Sequence, residues 1–397
     1  PVWLFKSDVA NAYRLLPMHP LWQLKQVVRI DGDCRIDRCC CFGSRGSPDL
    51  WCTFMSLVLW IAIHIDGIDN MLAYMDDNFS EDSNPDLVRY EPYQAFFPSK
   101  QVRLLRLWDA LGIPHKQPKQ VFGRSLTIIG FHVDSDAMTI ALPDDARLDL
   151  VHSIREFVLD APARKRPLRR WQRLLGWINW GLNVQPLLRP ALASSYEKMR
   201  GKQHPARPLY LNKAVITDLL WVADMFEKYG GVHILRSRAW KPHEAELEVL
   251  CDACLTGLGF WSPARQEGFM AALPVSPDAV EDTIFWYESL CVLAALQWAA
   301  ALHHCPRRLA IYTDNLNTVQ IFDSFRASAP YNSILRAASA TLIASGIDLR
   351  VWHIPGSENV VADALSRGML PVAHSYTPSL RVLPFRPPQL KSGAAEK

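Results

Sequence analysis

The sequence predicts an α/β (α+β) chain divided among several domains, and three observations carry that expectation. Short apolar strands and longer apolar helices intermingle at both ends of the 397 residues. A basic and purely helical stretch separates those ends. Hydrophobic residues make up 49% of the chain, enough for more than one core.

Trp3–Asp8 reads as a strand that ends on an acid. Val27–Ile36 reads as a hairpin turning at Asp31-Gly32-Asp33. Ser47–His64 follows the Gly43–Gly46 stretch and has the length of a helix. Met71–Tyr74 and Asn78–Ser80 flank Asp76 and Asp77 as strands flank a tight turn. Ser99–Leu111 has helical periodicity and is stopped by Gly112 and Pro114. Leu126–Val133 reads as one strand. Beyond Pro143 the chain turns helical: Asp144–Leu159, Leu168–Val184 and Lys213–Tyr229, with turns at Pro162 and Pro186 and a stop at Gly230-Gly231. The last third alternates again. Leu247–Cys251 and Gly257–Trp261 read as strands, with Gly257 and Gly259 marking a turn region after Asp252. Phe285–His303 is a long apolar helix and Leu309–Thr313 a strand. Ile334–Ser345 is a helix ended by Gly346, Asp348–His353 a strand, and Asn359–Arg367 a short helix closed by Gly368. From Val372 the prolines predict a loose tail.

Several classes are disfavoured. The longest apolar run, near Phe54–Ile65, falls short of the roughly 18–20 residues that span a bilayer and contains His64. No secretory leader is visible, so a membrane partner is not expected. The nine cysteines, three of them consecutive at Cys39, Cys40 and Cys41, form no disulfide framework. They suit a reducing intracellular compartment, cytoplasmic or nuclear. Cys251 and Cys254 have zinc-ligand spacing, but no second pair follows. The net charge of +3 conceals a strong asymmetry. Between Ala161 and Lys213 stand twelve basic residues, including Arg164, Lys165, Arg169, Arg170 and Arg173, against the single acid Glu197. Such a block attracts a polyanion or forms a solvated helix face.

Two groups of acids carry the chemistry. "LAYMDD" sets Asp76 beside Asp77 at a tight turn. Adjacent carboxylates repel, and one would take up a proton unless a cation neutralised them. Oxygen ligands suit Mg²⁺, with Mn²⁺ as a substitute. Asp8, at the end of its own strand, is the natural third ligand. In the last third, Asp252 and Asp314 close strands and Asp363 lies on a short helix. Glu288 sits on the apolar helix "FWYESLCVLAALQWAA", where a buried acid is costly unless paired or metal-bound. Two cations held by such a set can act on a phosphodiester. Solvated turns, caps and helix faces are the plainer readings of each acid taken singly.

The ordered motifs "SDVANAY" (Ser7–Tyr13), "FGSRGSP" (Phe42–Pro48), "YMDD" (Tyr74–Asp77), "LGIPHKQPK" (Leu111–Lys119) and "IIGFHVDS" (Ile128–Ser135) resemble those of reverse transcriptases. The series Asp252, Glu288, Asp314, Asp363, with "TDN" and "NVVADALSR", resembles ribonuclease H as fused to retrotransposon reverse transcriptases. The resemblance implies a palm with an antiparallel sheet and helices at 1–142, a basic helical thumb and connection at 143–240, a ribonuclease H-like mixed sheet flanked by helices at 241–372, and a proline-rich tail at 373–397. It implies two Mg²⁺ per site, held by Asp8, Asp76 and Asp77 and by the C-terminal quartet. Tyr13 would test the sugar 2′ position or be a core aromatic. Phe42, Gly43, Ser47 and Pro48 would lie along template and nucleotide, with Tyr74, Met75 and Lys119 at the nucleotide and its leaving group. Asn315 and Asn359 would contact substrate. His353 would assist product release or simply pack. Trp171, Trp177 and Trp180 read as core more readily than as base-stacking platforms.

The implied partners are an RNA template, a DNA primer, an RNA–DNA hybrid and deoxynucleoside triphosphates, with other polyprotein domains alongside. Only seven residues precede Asp8, so the fingers region of the family is expected to be missing and templated extension poor. A nucleic-acid-binding module without polymerase activity is the alternative. A DNA-templated polymerase with a nuclease domain is disfavoured by Tyr13 and the C-terminal acids.

Overall fold

Strand β1 (Val2–Asp8) lies in the four-stranded antiparallel order β4-β5-β1-β8, formed with β4 (Leu72–Tyr74), β5 (Asp77–Ser83) and β8 (Val121–Gly123). The computed structural model describes residues 2–83, 86–159, 164–228, 231–233, 239–274 and 282–390. It divides into two compact units, one of Pro1–Pro143 with Gly231–Leu235, the other of Asp144–Gly230 with Arg236–Lys397. The fold is mixed α/β, antiparallel in the sheets of the first unit and mixed in the large sheet of the second.

In the first unit, α1 (Pro20–Gln23) precedes the hairpin of β2 (Val27–Ile30) and β3 (Asp33–Ile36), whose residues are all exposed. The turn is the two-residue Asp31-Gly32, both at positive φ (50° and 91°), one residue shorter than the sequence suggests. Helix α2 (Ser47–His64) starts with Pro48 and Asp49 in its first turn, which suits the orphan amides there. A second hairpin joins β6 (Leu87–Tyr90) to β7 (Ala95–Pro98). Helix α3 (Ser99–Leu111) ends where Gly112 takes φ 69°, as the sequence predicts. Phe5 of β1, Trp51 and Met55 of α2, and Leu105 and Trp108 of α3 share one core.

The expected strand Leu126–Val133 is in fact a hairpin of β9 (Ser125–Ile128) and β10 (Phe131–Asp134). Ile129 and Gly130 both take positive φ, 50° and 78°, and reverse the chain. A β-branched residue there is a genuine outlier, which is why the apolar run hides the turn. β11 (Thr139–Ala141) and β14 (Gly231–His233) complete this sheet in the order β14-β11-β10-β9.

The second unit opens with α4 (Asp144–Leu159), the short pair β12 (Lys165–Pro167) and β13 (Pro208–Tyr210), α5 (Leu168–Gly181), α6 (Ala193–Met199) and α7 (Lys213–Lys228). The expected turn at Pro162 and the helix end at Tyr229 and Gly230 fall outside the described residues. Trp171 is wholly buried and donates from Nε1 to the Arg166 carbonyl, so it is a core residue.

Six strands follow in the order β19-β18-β15-β16-β17-β20: β15 (Leu247–Ala253), β16 (Gly257–Ser262), β17 (Glu267–Ala272), β18 (Arg308–Thr313), β19 (Asp348–His353) and β20 (Arg381–Pro384). Helix α8 (Thr283–Ala300) packs with Val249, Cys251, Leu258 and Phe260 of the sheet and with α10 (Ala329–Ser345) in one core. A helix so enclosed is apolar nearly all round. α9 (Leu316–Ser324), α11 (Val360–Ser366) and α12 (Leu370–Tyr376) complete the unit.

Two expectations are corrected here. Gly257 and Gly259 lie inside β16; the reversal is Cys254–Thr256. The described chain from Val372 to Pro384 is not loose: α12 and β20 are anchored by Ala373 and Leu380, which pack with Val361 and Leu365 of α11. Pro384 is tolerated because β20 is an edge strand.

Candidate catalytic centres

Strand alternation sorts the second unit's side chains. Cys251 faces the core against α8, while Asp252 shares its face with its register partner Gly259. A Cβ on Gly259 would stand 2.5 Å from Ser366 N, and one on Gly257 would stand 2.6 Å from Ser366 O. Helix α11 therefore lies directly on the backbone of β16, as glycine within a strand permits. That approach brings Ser366 Oγ to donate to Asp252 Oδ2 at 2.5 Å.

Glu288 arrives from α8, 3% exposed, and accepts hydrogen bonds from Ala253 N at 3.0 Å and Thr313 Oγ1 at 3.1 Å. Asp314 follows β18 directly, with Gly356 so near that a Cβ there would lie 3.0 Å from Asp314 Oδ2. Asp252, Glu288 and Asp314 each bring a carboxylate oxygen within 4.8 Å of the others. Asp363 lines the same open cleft of about 480 Å³, together with Asn315 and Arg367. Arg367 Nε donates to Asp363 Oδ1 at 2.7 Å.

Burial and crowding set the charge. Desolvation pushes Asp252 up to about 7 against the opposing Ser366 bond, and Asp314 and Asp363 add repulsion. Desolvation, then Asp252, pushes Glu288 up to about 9. A cluster of oxygen donors alone, carrying more negative charge than it can hold bare, fits hard divalent cations.

Of Asn315, His353 and Asn359, Asn315 alone lines this cleft. The Asn315 Oδ1 caps α9 through Thr318 N at 2.9 Å. His353 ends β19 exposed, so it is not a packing histidine. Asn359 is 1% exposed and its amide donates to Cys251 O at 2.8 Å; it ties the start of α11 to β15 from the interior and does not line the cleft. Cys251 is buried in the core and Cys254 lies against Thr256 and Ser366, so the two thiols have separate neighbours. Ser366 and Arg367 were not singled out individually by sequence, and Gly259 was read as part of a turn, not as the seat of α11. The Gly-Leu-Gly alternation at Gly257–Gly259 was the available signal.

In the first unit, Asp8 and Asp77 are register partners across β1 and β5, and Val9 N donates to Asp76 O at 3.3 Å. Tyr74 pairs with Asp77, leaving Met75-Asp76 as a two-residue turn. Met75 takes φ 56°, a left-handed conformation that ordinarily favours glycine. Trp51 Nε1 holds the turn by donating to Met75 O at 2.9 Å. Burial raises Asp77, opposed by Lys6 and reinforced by Asp8 and Asp76.

Lys119 Nζ lies 2.8 Å from both oxygens of Asp8. Asp8, Asp76 and Asp77 do not converge to the spacing reached by the C-terminal three. Tyr13 contacts Met75 Sδ through its hydroxyl at 3.7 Å, and its ring lies 5.0 Å from Phe42. Phe42 and Tyr74 are exposed, whereas Ser47 is buried at the start of α2 beside Pro48. Gly43 takes φ 89° in the preceding turn.

No family model matches the sequence, and no curated protein is significantly similar to it. Among solved structures, the foamy viral protease-reverse transcriptase in complex with RNA/DNA hybrid is similar over 89% of this chain and 44% of its own, at 14% identity and a TM-score of 0.47. The same viral protein's dRH form in complex with ds DNA is similar over 89% of this chain and 56% of that one, at 14% identity and a TM-score of 0.46. The chain thus spans about half the length of these two. Among the described residues, no helix is long and apolar enough to cross a membrane.

Proposed function

We propose that residues 241–372, within the second unit, are a ribonuclease H acting on the RNA strand of an RNA–DNA hybrid, that the basic helical stretch before them is a thumb and connection, and that the first unit is the palm of an RNA-directed DNA polymerase from a retrotransposon. The observation that carries this reading is the meeting of Asp252, Glu288 and Asp314 in one cleft with Asp363. Asp252, Glu288, Asp314 and Asp363 are the residues to hold Mg²⁺. Cations held there would supply Lewis-acid polarisation of a phosphodiester and a lowered pKa for a bound water.

The chain's own groups prepare the centre. Ser366 fixes the rotamer of Asp252, and Thr313 with Ala253 N fixes Glu288. Gly356 admits the close approach of its loop to Asp314. Arg164, Lys165, Arg169, Arg170, Arg173 and Arg207 are not ion-paired to acids among the described residues. They are suited to a hybrid's phosphates, with the steep salt dependence that follows.

The deciding experiment is cleavage of a labelled hybrid in Mg²⁺ by Asp314→Asn. Cleavage should vanish while hybrid binding persists; unchanged cleavage would overturn the assignment.

A second reading, nucleic-acid binding without polymerisation, is favoured in the first unit by one observation. The Lys119 ammonium already neutralises Asp8. Templated primer extension with deoxynucleoside triphosphates separates the two: extension lost in Asp76→Asn supports polymerase chemistry, and binding that survives chelation without extension supports the module.

A further inference from the structure

We infer that Arg367 is a phosphate-binding residue of the C-terminal cleft, parked on Asp363 until a divalent cation takes that carboxylate, so that cation and nucleic-acid backbone bind with positive coupling. The inference rests on the reading of this cleft as a two-cation phosphodiesterase centre. It adds a role for a residue outside the acidic quartet.

The geometry is that of a replaceable partner. Arg367 stands one helical turn after Asp363, and its Nε donates to Asp363 Oδ1 at 2.7 Å. Both side chains are half exposed, 49% for Arg367 and 41% for Asp363. No other hydrogen bond of this guanidinium is made among the described residues, so its remaining donors face solvent. An exposed pair of this kind contributes little and exchanges readily.

Charge counting gives the released arginine its task. Asp252, Glu288, Asp314 and Asp363 carry four negative charges when fully ionised, and Arg367 is the one basic side chain among the described residues that line the cleft. Two divalent cations cancel the four carboxylates and leave nothing for the incoming phosphate. The guanidinium supplies the missing positive charge. A cation at Asp363 removes its partner and repels it, and a planar fork of donors matches phosphate oxygens. The opposite role, an arginine that orders Asp363 for the cation, predicts the opposite sign in metal binding.

The test measures Mn²⁺ binding by electron paramagnetic resonance on the full chain. Wild type, Arg367→Met and Arg367→Gln are compared without nucleic acid and with a hybrid whose RNA strand is 2′-O-methylated to prevent cleavage. Without hybrid, both variants should bind Mn²⁺ about two- to fivefold more tightly than wild type, the scale of an exposed ion pair. Adding hybrid should tighten Mn²⁺ binding in wild type and do so less in the variants. Equal or weaker Mn²⁺ binding by the variants, or an undiminished effect of hybrid, overturns the role of Arg367. An Asp252→Asn chain that binds Mn²⁺ as wild type does would instead overturn the cleft's assignment, and this inference with it.

Discussion

Gly259 lies directly beneath Ser366: a Cβ on the glycine would stand 2.5 Å from the serine's amide nitrogen and 2.8 Å from the carbonyl oxygen of Ala362. Both obstacles are backbone, so neither can swing aside. The contact sets how deeply α11 sits on β16, and hence whether Ser366 and Asp363 reach Asp252.

Gly259→Ala should therefore destabilise the chain by about 2 kcal/mol or more, as overpacking does, and weaken Mn²⁺ binding at the cleft. Gly176→Ala is the control. Nothing lies within 4 Å of a Cβ there, and the position is inside α5. It should stabilise by about 0.5–1 kcal/mol. Urea unfolding of both checks the contrast; a neutral Gly259→Ala would show that α11 does not rest on this strand.

The buried acids predict how stability changes with pH. Asp252 is pushed up to about 7 and Glu288 up to about 9, whereas unfolded carboxyls titrate near 4. A raised folded value means stability is fully present below about pH 4 and is lost as pH rises through 7 and then 9. In chelator, the melting temperature should fall across that window and recover on adding Mg²⁺, most strongly at the alkaline end. Asp252→Asn with Glu288→Gln should flatten the curve. A cation-free melting temperature that stays level from pH 5 to 9 would exclude this account.

Trp51 and Met75 give a prediction in the first unit. Trp51→Phe keeps an aromatic ring but leaves the Met75 carbonyl without its buried donor. The cost should be about 1–3 kcal/mol. Met75→Gly should relieve the left-handed strain at φ 56° and offset part of that loss in the double variant. Additive effects in a double-mutant cycle would count against a shared turn.

The edge strand β20 predicts association behaviour. Ending the chain at Tyr376 removes Leu380 from its small core and uncovers the edge of β17. Exposed edges pair with other chains. Light scattering should show concentration-dependent self-association of the shortened chain; a monodisperse monomer of unchanged stability would refute the protective role of β20.

Much of this was legible in the linear pattern because it is local. Ser47–His64 and Ser99–Leu111 announce their ends through proline, acids and a left-handed glycine, all effects of neighbouring residues. The hairpin at Ile129-Gly130 was not legible, because a β-branched residue at positive φ is imposed by strand pairing against local preference. The folded tail was missed for a related reason: Ala373 and Leu380 bury themselves only against α11.

The amino-acid order by itself determined which residues carry charge, where the locally signalled helices such as Ser47–His64 and Ser99–Leu111 lie, and that acids stand at strand ends. Tertiary structure alone decided which acids meet. Asp252 and Glu288 are drawn together by a sheet and a helix distant along the chain, and their raised proton affinities come first from burial, which removes water from both, and then from the neighbouring carboxylates. It also decided that Lys119 occupies Asp8 and that Asn359 turns inward. Electrostatic energies depend on distance and solvent in three dimensions, and a one-dimensional pattern contains neither.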